Sequence, residues 1–130
     1  MELTGKHLIN GAWVEGGGTF TSAPLSGEPA RFCDGGDVEV AAAVEAAEAA
    51  FLTYGWSSAA ARAAFLTAIA DEIEARGAAL TEIGCAETGL PSARLNGERG
   101  RTCGQLRMFA AHIGRGDYCL LYRSPSPRDS

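Results

Sequence analysis

The chain has 130 residues, 46% of them apolar and 21% charged, with a formal net charge of −5. This is globular rather than disordered composition, and the length is enough for one core. The acidic balance, without basic runs interleaved with aromatics, argues against nucleic acid as a partner, and no stretch approaches the roughly 18 apolar residues of a membrane span.

The opening residues, Met1-Glu-Leu-Thr-Gly-Lys-His7, lack the apolar segment of a secretory signal. Four cysteines (Cys33, Cys85, Cys103, Cys119) are scattered without a CxxC pair. The pattern reads as reduced thiols in a cytoplasmic protein rather than a disulfide frame or zinc site.

Short strands come first. His7-Leu-Ile9 and Ala12-Trp-Val14 flank Asn10-Gly11, a dipeptide that tolerates the positive φ angles of a two-residue hairpin turn. Gly16-Gly-Gly18 breaks the pattern, and Thr19-Phe-Thr21 alternates as a third strand. "APLSGEPARF" places a turn around Pro24 and Gly27, then an extended piece near Arg31-Phe32.

After Gly35-Gly36 the composition turns helical. Asp37 is expected to cap a helix whose stripe is Val40, Val44, Ala47 and Phe51, ending near Tyr54-Gly55. A second helix starts at Ser57 or Ser58. Its Phe65, Leu66, Ile69 and Ile73 share an arc of about 100°, with Thr67, Asp71 and Glu74 pointing the other way. Gly77 interrupts it. A shorter helix from Ala78 to about Thr88 stops at Gly89, with Pro91 beyond. A long helix then runs from about Pro91 to Ile113, with Leu95, Leu106, Phe109 and Ile113 on one side.

The expected fold class is therefore α+β: an N-terminal β-hairpin and short strands, followed by three to four amphipathic helices. The strands are too few for a good sheet, so the inventory looks like the beginning of something larger. Residues 1–36 form the strand-and-turn part, 37–113 the helical part, and 114–130 a tail of different composition.

No catalytic or metal constellation stands out. His7 and His112 lie far apart, and no cysteine has the histidine or helix-start neighbourhood of an activated thiolate. Cys103 sits mid-helix beside the apolar stripe and reads as a small core residue. The one informative polar pattern is Arg94, Glu98, Arg101 and Gln105, within an arc of about 60° on the last helix. Spacing alone leaves two readings: a solvated stripe of local ion pairs, or one wall of a pocket in which a guanidinium takes a carboxylate.

The order "GKHLINGAWVEG", "APLSGEPA", "RAAFLTAIADEIEARGAAL", "AETGLP" resembles the start of an NAD(P)-dependent aldehyde dehydrogenase, over about residues 5 to 113. Pro24-Leu-Ser-Gly-Glu28 matches that family's Pro-x-(Thr/Ser)-Gly-Glu turn, and Glu87-Thr-Gly89 its most recognisable early signature. "ETGLPSARLNGERGRTCGQLRMFA" looks most like the branch acting on 2-oxoglutarate semialdehyde (2,5-dioxovalerate). The resemblance implies the opening of an α/β, Rossmann-like fold, a small aldehyde substrate, NAD or NADP as cofactor, and a homo-oligomeric parent enzyme. It also implies that Arg101, helped by Gln105, contacts the distal carboxylate of a dicarboxylic semialdehyde. The family's cysteine nucleophile, glutamate base, oxyanion asparagine and dinucleotide contacts lie downstream of the residues present. No residue here is therefore assigned as catalytic, cofactor-binding or metal-binding, and the chain is expected to be an inactive fragment.

The family pattern fades after Ile113. Two Ser-Pro steps in "CLLYRSPSPRDS" neither continue a helix nor suit a central strand. From Cys119 the string closely resembles a translated transposase sequencing adapter, differing at Arg123, so residues 114–130 are expected to be read-through. The alternative is a non-catalytic short protein with a Ser/Pro/Arg tail that binds a full-length dehydrogenase subunit.

Overall fold

In the computed structural model, residues 4–116 are described. The element order is β1 (His7–Ile9), β2 (Ala12–Val14), β3 (Gly18–Thr21), β4 (Arg31–Asp34), α1 (Asp37–Tyr54), α2 (Ala59–Ala75), α3 (Gly77–Thr88) and α4 (Ser92–Arg115). The strands form two separate antiparallel pairs, β1 with β2 and β3 with β4. The described residues divide into two compact units: residues 4–56 with Ala78–Leu95, and Ser57–Gly77 with residues 96–116.

In the first unit the hairpin turn forms as the Asn-Gly pair dictates. Asn10 and Gly11 take φ values of 49° and 78°, the left-handed pair that matches the strands' own twist. The second pair is longer than its sequence signal. β4 extends to Asp34 and aligns Phe20 with Phe32, whose rings stack with centroids 5.5 Å apart. The Pro24–Gly27 turn is fastened to the end of α3, because Leu25 N–H and Ser26 N–H both donate to the Ala86 carbonyl, at 2.9 and 3.2 Å. Those donors satisfy a carbonyl that the helix end would otherwise leave unpaired.

The cap of α1 corrects the expectation from sequence. Gly36, not Asp37, is the capping residue, and the Glu39 carboxylate reaches back to accept the Gly36 N–H at 2.8 Å. Asp37 is the first helical residue and acts through its charge near the positive helix end. Ser58 caps α2 as expected, its hydroxyl accepting the Ala61 N–H at 3.1 Å.

In the second unit α2 and α4 meet through small residues. Ala70 and Cys103 have no exposed surface, and Cys103 Sγ lies 3.7 Å from the Ala70 carbonyl oxygen. Cys103 is thus the small core residue expected of it. The larger apolar residues are less covered: Val40, Val44 and Phe51 of α1 are about 60% exposed or more, and Phe65 of α2 and Phe109 of α4 are more than half exposed. Apolar stripes of this width are surfaces made to be buried. Among the described residues, no helix is long and apolar enough to cross a membrane.

Candidate functional site

α4 runs to Arg115, slightly past the expected end, and carries the polar stripe. Arg101 and Gln105 are both exposed on it. The Arg101 guanidinium is held by Glu98 one turn earlier, with Nε and Nη2 each 3.1 Å from Oε2. Gln105 makes no hydrogen bond with another described residue. The fold thus brings Arg101 and Glu98 together as a local pair and leaves Gln105 facing outward beside them. A carboxylate reaching Arg101 would have to share or replace Glu98, which already fills one edge of the guanidinium fork.

Two interactions on the same helix were not foreseen from the sequence. Arg107 donates to Asp71 at 2.9 Å and lies 3.3 Å from Glu74, spanning from α4 to α2. The two carboxylates hold its proton more tightly than usual, Asp71 contributing most. The signal for this bridge was the Asp71/Glu74 pair one turn apart on the polar side of α2, but no pattern within α4 names its partner. Arg99 donates to the Gly77 carbonyl at 2.8 Å and to Asn96 Oδ1 at 3.1 Å. A side chain at Gly77 would meet that guanidinium.

In the first unit, Lys6 and Glu15 form an ion pair at 2.8 Å. Each supports the charged form of the other, raising the Lys6 pKa and lowering that of Glu15 through a hydrogen bond first and through charge second.

The passage from β4 through Gly35-Gly36 into α1 is the one described strand–glycine–helix step that invites a dinucleotide phosphate. Its first turn carries Asp37 and Glu39, and the Gly36 N–H is already bonded to Glu39. Negative charge and an occupied donor oppose phosphate there. Both described strand pairs are antiparallel. The described residues therefore do not fit a pyrophosphate. Nor do they offer a metal cluster of three or more His, Cys, Asp or Glu. Cys33 and Cys85 are half-buried and Cys103 is buried; Cys119 and most of the tail lie outside the described residues.

Comparison with known proteins gives a consistent set of relatives. A family model described as "Aldehyde dehydrogenase family" matches residues 15–121, and so runs past Ile113. Alpha-ketoglutaric semialdehyde dehydrogenase 2 of Azospirillum brasilense is 50% identical over 131 aligned positions, covering 97% of this chain and 25% of its own length. Alpha-ketoglutaric semialdehyde dehydrogenase of Acinetobacter baylyi is 46% identical over 97 positions, covering 69% of this chain and 18% of its own length. Among solved structures, an NAD-dependent benzaldehyde dehydrogenase from Corynebacterium glutamicum superposes with a TM-score of 0.78 at 28% identity, covering 85% of this chain and 25% of that one. The chain thus spans about a quarter or less of the length of these relatives.

Proposed function

The chain belongs to the aldehyde dehydrogenase family, and from that premise we propose that it is the amino-terminal part of an NAD(P)-dependent enzyme that oxidises 2-oxoglutarate semialdehyde to 2-oxoglutarate. The observation that carries this reading is 50% identity over nearly the whole chain to a relative of which the chain spans only a quarter. The same proportion supports the further proposal that these 130 residues do not catalyse the oxidation alone. The cofactor would supply a hydride acceptor when bound; the described residues offer it no phosphate site.

The part these residues would play is in substrate selection. The Arg101 guanidinium offers two parallel N–H donors on a rigid fork, the geometry that recognises a carboxylate. Glu98 holds the fork in place and competes for it. A dicarboxylic semialdehyde would have to outbid that local pair, and an uncharged aldehyde would not. Gln105, one turn further along, would donate its amide to the same carboxylate. The parent enzyme would work in the cytoplasm as a homo-oligomer.

The test compares the 130-residue chain with a longer product of the same gene that extends to the relatives' length. Each is mixed with 2-oxoglutarate semialdehyde and NAD+ or NADP+, and reduced nicotinamide is followed by absorbance. The longer protein is expected to turn over and the chain alone to be silent. Turnover by the chain alone would end the fragment reading. A longer protein that oxidises other aldehydes but not this one would end the substrate assignment. A second reading, a non-catalytic chain that binds an intact dehydrogenase subunit, is favoured by the exposed α1 residues Val40, Val44 and Phe51. Stoichiometric co-purification with that subunit would support it.

A further inference from the structure

One face of the β3–β4 pair carries an open pocket of about 250 Å³ whose walls include Thr4, Lys6, Glu15, Thr19, Arg31 and Cys33. The register explains why these side chains meet. Thr19 pairs with Cys33 and Thr21 with Arg31, while Phe20 pairs with Phe32. Successive side chains alternate between faces, so Thr19, Arg31 and Cys33 share one face and the stacked phenylalanines the other. The segment bearing Thr4 and Lys6 is fastened beside them by the Cys33 N–H, which donates to the Gly5 carbonyl at 2.8 Å.

The charges in this pocket do not cancel. Lys6 is paired with Glu15, whereas the Arg31 guanidinium, whose charge also helps lower the Glu15 pKa, makes no hydrogen bond or ion pair with another described residue. Two cations against one carboxylate leave one positive charge, on a chain whose formal net charge is −5. A guanidinium that shares a pocket with hydroxyl groups, and donates to no other described residue, is a recognition group for a planar oxyanion. At about 250 Å³ the pocket lies below the roughly 300–1,000 Å³ of drug-sized sites and suits a small anion.

We propose that this pocket binds one small carboxylate anion, Arg31 taking both of its oxygens and the Thr4 and Thr19 hydroxyls donating from the walls. Lys6 stays on Glu15 and contributes its field. One excess positive charge matches a monocarboxylate better than a phosphate, which carries between one and two negative charges near neutral pH. The site uses neither Arg101 nor Gln105 and does not rest on the proposed dehydrogenase activity.

Arginine modification of the full 130-residue chain by phenylglyoxal, mapped by peptide mass, tests the site with acetate as the probe. Acetate is expected to slow modification of Arg31 saturably, about tenfold at roughly ten times its Kd. Arg76, which is paired with Glu72 and does not line the pocket, is expected not to respond. Thr19→Val removes one donor without changing charge or strand propensity, and should shift protection to higher acetate. Equal protection by chloride at matched ionic strength would overturn the proposal. So would equal protection of Arg76, or a Thr19→Val chain protected as well as the parent. Stronger protection by phosphate than by acetate would overturn the carboxylate assignment.

Discussion

The Ser22 hydroxyl donates to the Glu87 carboxylate at 3.0 Å, joining residues 65 positions apart. The same hydroxyl accepts the Ala30 N–H at 3.0 Å. Glu87 opens the Glu-Thr-Gly step and Ser22 precedes the Pro24–Glu28 turn, so the two segments that carried the family resemblance are one piece of structure. The turn is docked on the end of α3 by this bond and by the two donors to Ala86. Ser22→Ala removes both of its side-chain bonds. Hydrogen bonds to charged groups contribute about 1.5–3 kcal/mol, so the Ala30 amide is expected to exchange about tenfold faster or more. Hydrogen exchange read at that amide decides it; unchanged protection would mean the bond is not maintained in solution.

Cys103 has no exposed surface. Cys33 and Cys85, half-buried, are expected to react with iodoacetamide well before it. Replacing Cys103 with Leu overfills the α2–α4 contact and should destabilise that unit by about 1–3 kcal/mol. A melting curve followed by helical circular dichroism reads the loss.

Gly16 allows a close backbone approach, since a Cβ there would stand 1.6 Å from the Asp34 carbonyl oxygen. Gly16→Ala must push β4 away and is expected to cost about 1–3 kcal/mol or more. Its neighbour Gly17 faces open space, so Gly17→Ala is the internal control. Amide exchange across β3 and β4 should accelerate in the first variant and stay unchanged in the second.

The Lys6–Glu15 pair fixes a sign for pH dependence. Glu15 is held below its ordinary value of 4.5, so its contribution is present above that value and is lost as pH falls through the lowered one. Lys6 is raised above 10.5, so its contribution is present below that value and is lost as pH climbs through the raised one. Lys6→Met should return the Glu15 carboxyl titration toward its ordinary midpoint. Carbon-detected NMR of the carboxyl reads the shift; an unmoved midpoint would mean the pair does not persist.

In a longer enzyme built from this chain, Arg101→Leu should raise KM for the dicarboxylic semialdehyde by roughly 10–100-fold, the loss of a charge-assisted contact. KM for an uncharged aldehyde should change little. Glu98→Gln weakens the competing pair and is expected to lower KM for the charged substrate. Equal effects on both substrates would remove Arg101 from recognition.

The sequence by itself determined the element inventory, because the signals involved are local. Asn10-Gly11 fixes a hairpin through φ angles that few other dipeptides tolerate. Ser58 caps a helix with its own hydroxyl, and Gly89, at φ 69°, stops one. Cys103 was legible as core from its place beside a stripe. The polar stripe of α4 was legible as well, although the pair it forms, Arg101 with Glu98, is spaced i, i+3 rather than the expected i, i+4. Only the tertiary structure decided which residues meet across long separations. Arg107 with Asp71, Arg99 with Gly77, Ser22 with Glu87 and the pocket shared by Lys6 and Arg31 all depend on how separate segments pack, which no period of 2 or 3.6 encodes. The structure also decided what the apolar stripes do. Their spacing makes Val40, Val44 and Phe51 a surface fit for burial, but burial requires a partner surface. Within these residues the close packing falls to the small side chains of Ala70, Cys103 and Ala110 instead.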